Sequence, residues 1–229
     1  MAFKRALAPT APLSGDLATA AYVAIGMGLE AAPSPSPPNI EDTLWVASRE
    51  GMEGGDARVL GLLVDWIAIH GDFINADRMT RLVGLQTSVR IRAFWTAIAQ
   101  WRAKDPRFAR LRALHKGPPV DFLPVGTDFG IARRGEDPRL AGSALRVPRG
   151  ALRERPEDIM TPGELAQKHR GYYCRVLMGP SYRADMWALL EACPDLTSAE
   201  LARRAYGSHA TACEVRRDWL VLAGERGAA

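Results

Sequence analysis

The sequence predicts a mainly α protein with small β wings, an α+β fold. Three observations carry this reading. Apolar residues recur at helical spacing over several stretches, capping residues precede those stretches, and one Gly- and Pro-rich segment breaks into short runs. The chain has 229 residues, which favours two domains. Hydrophobic content of 47% against 24% charged residues fits a globular protein with a sizeable core.

Taken in order, "LATAAYVAIGMGL" follows Lys4 and Arg5, but Pro9, Pro12, Gly15 and Asp16 interrupt the approach to it. It is too short to span a membrane and reads as a soluble helix rather than a leader. "PSPSPP", residues 33–38, is a stiff linker, and "GMEGG", residues 51–55, a flexible one. Residues 56–71 place Val59, Leu62, Leu63, Trp66 and Ile67 on one helical face, ended by Gly71. Residues 75–84 form a second helix capped by Asn75, with Met79, Leu82 and Val83 inward. A third follows Thr87 as its cap, burying Ile91, Phe94, Trp95 and Ile98. Trp95 and Trp101 read as core rather than as base-stacking groups.

From residue 108 the Gly/Pro-broken pattern predicts two or three small strands, and residues 135–160 an irregular connection. Thr161, Pro162 and Glu164 open a new helix, "SYRADMWALLEA" forms the next, and Thr197 with Glu200 writes a capping box before "LARRA". The expected domains are therefore 1–40 (helix and linker), 41–130, 131–160 (Arg-rich connection) and 161–229.

Two stretches pair short helices around a tight turn. In residues 75–98, Thr80 is followed four later by Gly84, with Val89 and Ile91 positioned to lock the second helix on the first. Glycine suits a turn that wants positive φ. In residues 201–222, Ala202 is followed five later by Gly207, a slip of one, and the partner helix is expected to bury Ala212, Val215, Trp219 and Leu222. The chain thus reads as tandem helix-turn-helix units, the first carrying a wing.

Charge ranks the two. Residues 1–77 carry net −6, residues 78–116 net +9, residues 117–150 net +1 and residues 151–229 net 0. A positive field that local is an electrostatic footprint for a polyanion. Arg90 and Arg92 flank the buried stripe of the first unit's second helix and are expected to enter the major groove. Gln86, Thr87 and Ser88 stand at that helix's N-terminus, where phosphate is favoured. Arg78, Arg81, Arg110, Arg112 and Lys116 are expected on phosphates, the last three from the wing. In the second unit Arg216 and Arg217 are offset by Glu214 and Asp218, so that unit is expected to pack, dimerise or hold a partner.

The three-helix order followed by basic short strands resembles bacterial winged helix-turn-helix transcriptional regulators, over residues 56–116 and more loosely over 161–222. The overall plan is also similar to AbiE-type antitoxins, DNA-binding repressors paired with a nucleotidyltransferase toxin. The resemblance implies that Thr87, Ser88, Arg90 and Arg92 face DNA.

Catalytic readings are weaker. "MGPSYRAD", residues 178–185, superficially matches the start of a nucleotidyltransferase site, but no D-x-D follows to hold a metal. There is no GxSxG, GxGxxG or Walker loop. His209 and Cys213 share a helical face without a third orienting group. Cys174, Cys193 and Cys213 make neither a disulfide framework nor a zinc site, which fits a reducing compartment. The expectation is a cytoplasmic, non-enzymatic DNA-binding regulator without metal or cofactor. Its expected partner is duplex DNA, with a second copy as a further partner. The competing expectation is an interaction module whose basic block meets an acidic protein.

Overall fold

The computed structural model describes residues 5–9 and 11–226, with the backbone alone for 223–226. Residues 1–4, including Lys4 of the basic N-terminus considered above, and residues 10 and 227–229 lie outside the described residues. The protein is mainly helical with one small two-stranded sheet. It forms two units: residues 12–161, and residues 162 onward joined by the segment before residue 12. The expected break at 160/161 lies one residue from the observed one. Residues 12–40 and 131–160 are not separate, because both pack into the same unit as 41–130.

The larger unit holds helices α1 (Gly15–Ala24), α2 (Ile40–Met52), α3 (Ala57–His70), α4 (Ala76–Gly84) and α5 (Val89–Trp101). Helix α2 escaped the periodicity reading because it buries polar residues as well as apolar ones, Glu41, Asp42 and Ser48 among them. Asn39 caps it by accepting the Asp42 N–H at 3.1 Å. Asp56 caps α3 and Asn75 caps α4. Ser88, not Thr87, caps α5. Helix α5 is the centre of this unit. Every residue from 91 to 99 is buried except Arg92, and the Trp95 indole N–H donates to Ser48 Oγ at 3.0 Å. The Trp66 indole N–H likewise reaches the Ile25 carbonyl at 2.7 Å, tying α3 to the end of α1. Buried indoles thus find acceptors, as their desolvation demands.

The expected strands after residue 108 are largely absent among the described residues. The chain forms 3₁₀ turns at Pro106–Phe108 and Leu111–Ala113, then β1 (Val120–Asp121), α6 (Thr127–Arg134) and β2 (Leu145–Arg146). Phe108 and Leu111 are the buried residues there, three apart, and that spacing suits a three-residue turn rather than an alternating strand. Strand β1 pairs with β2 in parallel, Val120 opposite Leu145. A wing is a hairpin and needs antiparallel neighbours, which this pairing does not supply. Arg110, Arg112 and Lys116 therefore sit on turns and a loop. The Arg-rich connection is anchored on α3. Buried Asp65 accepts the Arg155 N–H at 2.6 Å and the Arg139 guanidinium at 2.8 Å.

The smaller unit holds α7 (Pro162–Lys168), α8 (Arg170–Met178), α9 (Tyr182–Ala192), α10 (Ser198–Arg204) and α11 (His209–Arg226). The single helix expected after Thr161 is split, because His169 turns its ring Nδ1 to accept the Tyr172 N–H at 3.0 Å and so caps α8. Arg175 and Asp185 lock α8 to α9 through two hydrogen bonds, at 2.8 and 3.0 Å. Helices α9, α10 and α11 share a core of Met186, Leu190, Leu196, Leu201, Ala202, Ala205, Ala212, Val215 and Trp219. The Thr197–Glu200 capping box is present. Leu222, expected inside, is exposed, since it falls a turn past the reach of α9 and α10.

Candidate nucleic-acid interface

The two helix pairs differ at their turns. In α4–α5 the turn residues 85–88 follow Gly84, which is the last residue of α4. Gly84 does not adopt positive φ, and a Cβ there would meet nothing within 4 Å. Neither property that would demand glycine is in force. In α10–α11 the left-handed residue is Tyr206, with φ of 56°. It lies four residues after Ala202, so the spacing that seemed to slip by one is restored. Gly207 serves a different need: a Cβ there would lie 2.2 Å from Met186 Cε and 3.5 Å from Tyr182 Cβ. One sequence position was expected to supply both the turn and the close approach. The chain divides them between Tyr206 and Gly207.

The helices after the turns differ more. A recognition helix must lay an open face along a groove about 12 Å wide. Helix α5 has no such face, being enclosed by α2, α4 and the 3₁₀ turn at 111–113. Helix α11 has one. Ala210, Cys213, Glu214 and Arg217 recur at helical spacing and are all exposed, with His209 beside them at the start.

The expected DNA-contacting side chains of the larger unit are placed as follows. Arg78 is buried, and its guanidinium pairs with Asp42. This corrects the phosphate role, since a fully enclosed guanidinium cannot reach a phosphate. Arg90 is likewise consumed internally. Its Nε donates to the Met52 carbonyl at 2.8 Å, and its two Nη atoms donate to the Asp121 and Phe122 carbonyls at 3.0 and 2.8 Å. It stitches β1 and the end of α2 to α5 instead of reading a base. Arg92 reaches the Gly84 carbonyl at 3.5 Å. Arg81 and Arg110 share Asp77, at 2.8 and 3.0 Å. Arg112 donates to the Ala103 carbonyl at 2.9 Å. Gln86 folds back on the Leu82 carbonyl at 3.0 Å, and Ser88 is spent on its cap. Thr87 and Lys116 are exposed. Arg102 and Arg107 meet Asp72, and Arg107 also binds Asp105 at 2.6 Å, whose carboxyl it holds below the usual range.

The +9 block is thus largely folded back onto carboxylates and carbonyls of its own unit. Asp42, Asp72 and Asp77, which pair with Arg78, Arg81, Arg102, Arg107 and Arg110 of that block, come from the −6 segment. Part of the charge asymmetry along the chain is therefore complementarity between two packed segments.

The smaller unit leaves a different balance. Asp218 accepts from Arg183 at 2.9 Å and from Arg217 at 3.1 Å, and both guanidinia hold its carboxyl below the usual range. Sequence reasoning set Asp218 against phosphate binding, but it is already neutralised. Arg216 latches onto the Leu196 carbonyl at 3.1 Å and is structural. Arg203 and Arg204 at the end of α10 are exposed and form no ion pair among the described residues. Net charge along the sequence does not single these residues out, because their exposure is set by the fold.

Among the described residues no group of three or more His, Cys, Asp or Glu is placed to hold a metal ion, and no helix is long and apolar enough to cross a membrane. No family model, curated protein or solved structure matches the chain.

Proposed function

We propose that the chain is a non-enzymatic, duplex-DNA-binding transcriptional regulator, and that the helix-turn-helix α10–α11 is the reading element in place of α4–α5. One observation carries this: the open stripe Ala210, Cys213, Glu214 and Arg217 on α11, beside a turn with left-handed Tyr206. Arg217 suits a guanine edge, Glu214 the amino group of cytosine, and Arg203 and Arg204 phosphates. Releasing Arg217 from Asp218 costs little, because the pair is solvent-exposed.

A second copy is the partner that fits best with this reading. Leu220, Val221 and Leu222 are exposed at the far end of the same helix, and two-fold dimers match palindromic half-sites. The acidic-partner reading draws on a basic block in which Arg78, Arg81, Arg102, Arg107 and Arg110 already meet carboxylates of the same unit. Fluorescence anisotropy of the full chain on a labelled duplex from its own promoter region tests the proposal. Binding should weaken steeply as salt rises, and Arg217→Ala should reduce it.

A further inference from the structure

Several arginines of the larger unit pair with carboxylates, and one cleft gathers two that do not. It has a volume of about 410 Å³ and is lined by Ala57, Arg58, Leu62, Ala151, Arg153, Arg155 and Asp158. Arg58 and Arg153 form no ion pair among the described residues. Arg155 meets Asp158 at 3.5 Å, so the lining keeps an excess of positive charge.

The cleft is built rather than incidental. The chain crosses α3 so closely that a Cβ on Gly61 would come within 3.0 Å of the Arg153 carbonyl. Leu152 is buried beside Arg153, and the Arg155 N–H is held by Asp65 at 2.6 Å. Positions 153 and 155 are therefore fixed against the helix that carries Arg58 and Leu62. Leu62, Ala57 and Ala151 supply an apolar floor. Guanidinium forks match the oxygens of a phosphate bidentately, and the volume falls within the range of small-molecule pockets.

The geometry points to a binding site for a small phosphate monoester of nucleotide size, its phosphate on Arg58 and Arg153 and its apolar part on Leu62. Asp158 competes with that phosphate for Arg155. The site lies within residues 12–161 and stands apart from the duplex reading on α11.

Isothermal titration of the full chain with adenosine 5′-monophosphate and with inorganic phosphate, at constant ionic strength, tests it. The site predicts saturable binding of the monophosphate. Arg153→Ala and Arg58→Ala should each weaken it about tenfold, and Asp158→Asn should tighten it. All three side chains are at the surface of the cleft, so unchanged thermal unfolding is the control for folding. Equal affinity for inorganic phosphate would show that the phosphate alone is recognised; weaker affinity would show that the floor contributes. No saturable binding of either, or binding indifferent to Arg153→Ala, overturns the site. So does a result in which Arg153→Ala weakens only duplex DNA, for the arginines would then belong to a nucleic-acid surface.

Discussion

Gly207 backs onto Met186: a Cβ at 207 would lie 2.2 Å from the Met186 methyl, itself fully buried in the α9–α11 core. The α10–α11 turn is therefore set by contact as well as by backbone angle. Gly207→Ala must swing the flexible end of the buried Met186 side chain aside and should destabilise the protein by about 1 kcal/mol. Gly84, the glycine before the α4–α5 turn, has open space and no positive φ. Gly84→Ala should be neutral or stabilising by up to about 1 kcal/mol through helix propensity. Urea unfolding of both variants checks the contrast, and an equal destabilisation of both would show the two turns to be alike.

Arg78 was expected on a phosphate and is enclosed against Asp42 instead. Removing it leaves a buried carboxylate short of its cation. Arg78→Ala should cost about 3–5 kcal/mol of stability, a penalty that a surface phosphate-binding residue would not carry. Denaturant midpoints for Arg78→Ala and for Lys116→Ala, which should change by less than about 0.5 kcal/mol, separate the two roles.

His70 is buried, and burial lowers its pKa to about 4 against the pull of its hydrogen bond to the Met160 carbonyl. The unfolded chain takes up this proton near pH 6.5. Between those values the unfolded state binds more protons, so stability is full above about pH 6.5 and falls as pH drops toward 4. The decrease from this one group is about 3 kcal/mol. His70→Gln should flatten the stability profile over that window; an unchanged profile would remove His70 as its source.

The three thiols should separate by environment. Cys174 is buried, and burial pushes its pKa up to about 11, whereas Cys193 and Cys213 are exposed. Two thiols should react rapidly with a maleimide in the native protein and the third only on unfolding. Cys213 stands in the open stripe of α11, so a bulky label there should block duplex binding. Cys213→Ser should escape that block, while a label on Cys193 alone should leave binding intact.

Much of the fold was legible because the signals are local. Asn75, Thr197 with Glu200, and the apolar stripes of α3 and α5 act over a few residues, and each marks its helix. Helix α2 was hidden because its buried Glu41 and Asp42 interrupt the apolar period. The supposed wing failed because Phe108 and Leu111 serve a 3₁₀ spacing. The candidate interface was misread for a non-local reason. Whether Arg90 is free depends on the Met52, Asp121 and Phe122 carbonyls, which lie 31 to 38 residues away in sequence. Whether the +9 block is a field depends on Asp42, Asp72 and Asp77 returning to meet it. The position of the left-handed residue was misplaced because Tyr206, with its Cβ penalty, is a residue type that rarely adopts that angle.

One comparison decides whether α10–α11 rather than α4–α5 engages duplex DNA. Anisotropy on a labelled promoter duplex is measured across a salt series for two triple variants of the full chain. Arg203→Ala/Arg204→Ala/Arg217→Ala should weaken binding at least tenfold and lower the salt slope by about 2 to 3, at roughly 0.9 for each phosphate no longer neutralised. Arg81→Ala/Arg92→Ala/Lys116→Ala should leave affinity and slope within about twofold of the wild type, since none of the three is placed on the duplex. The reverse pattern, or no salt-sensitive binding by the wild type, would contradict the account.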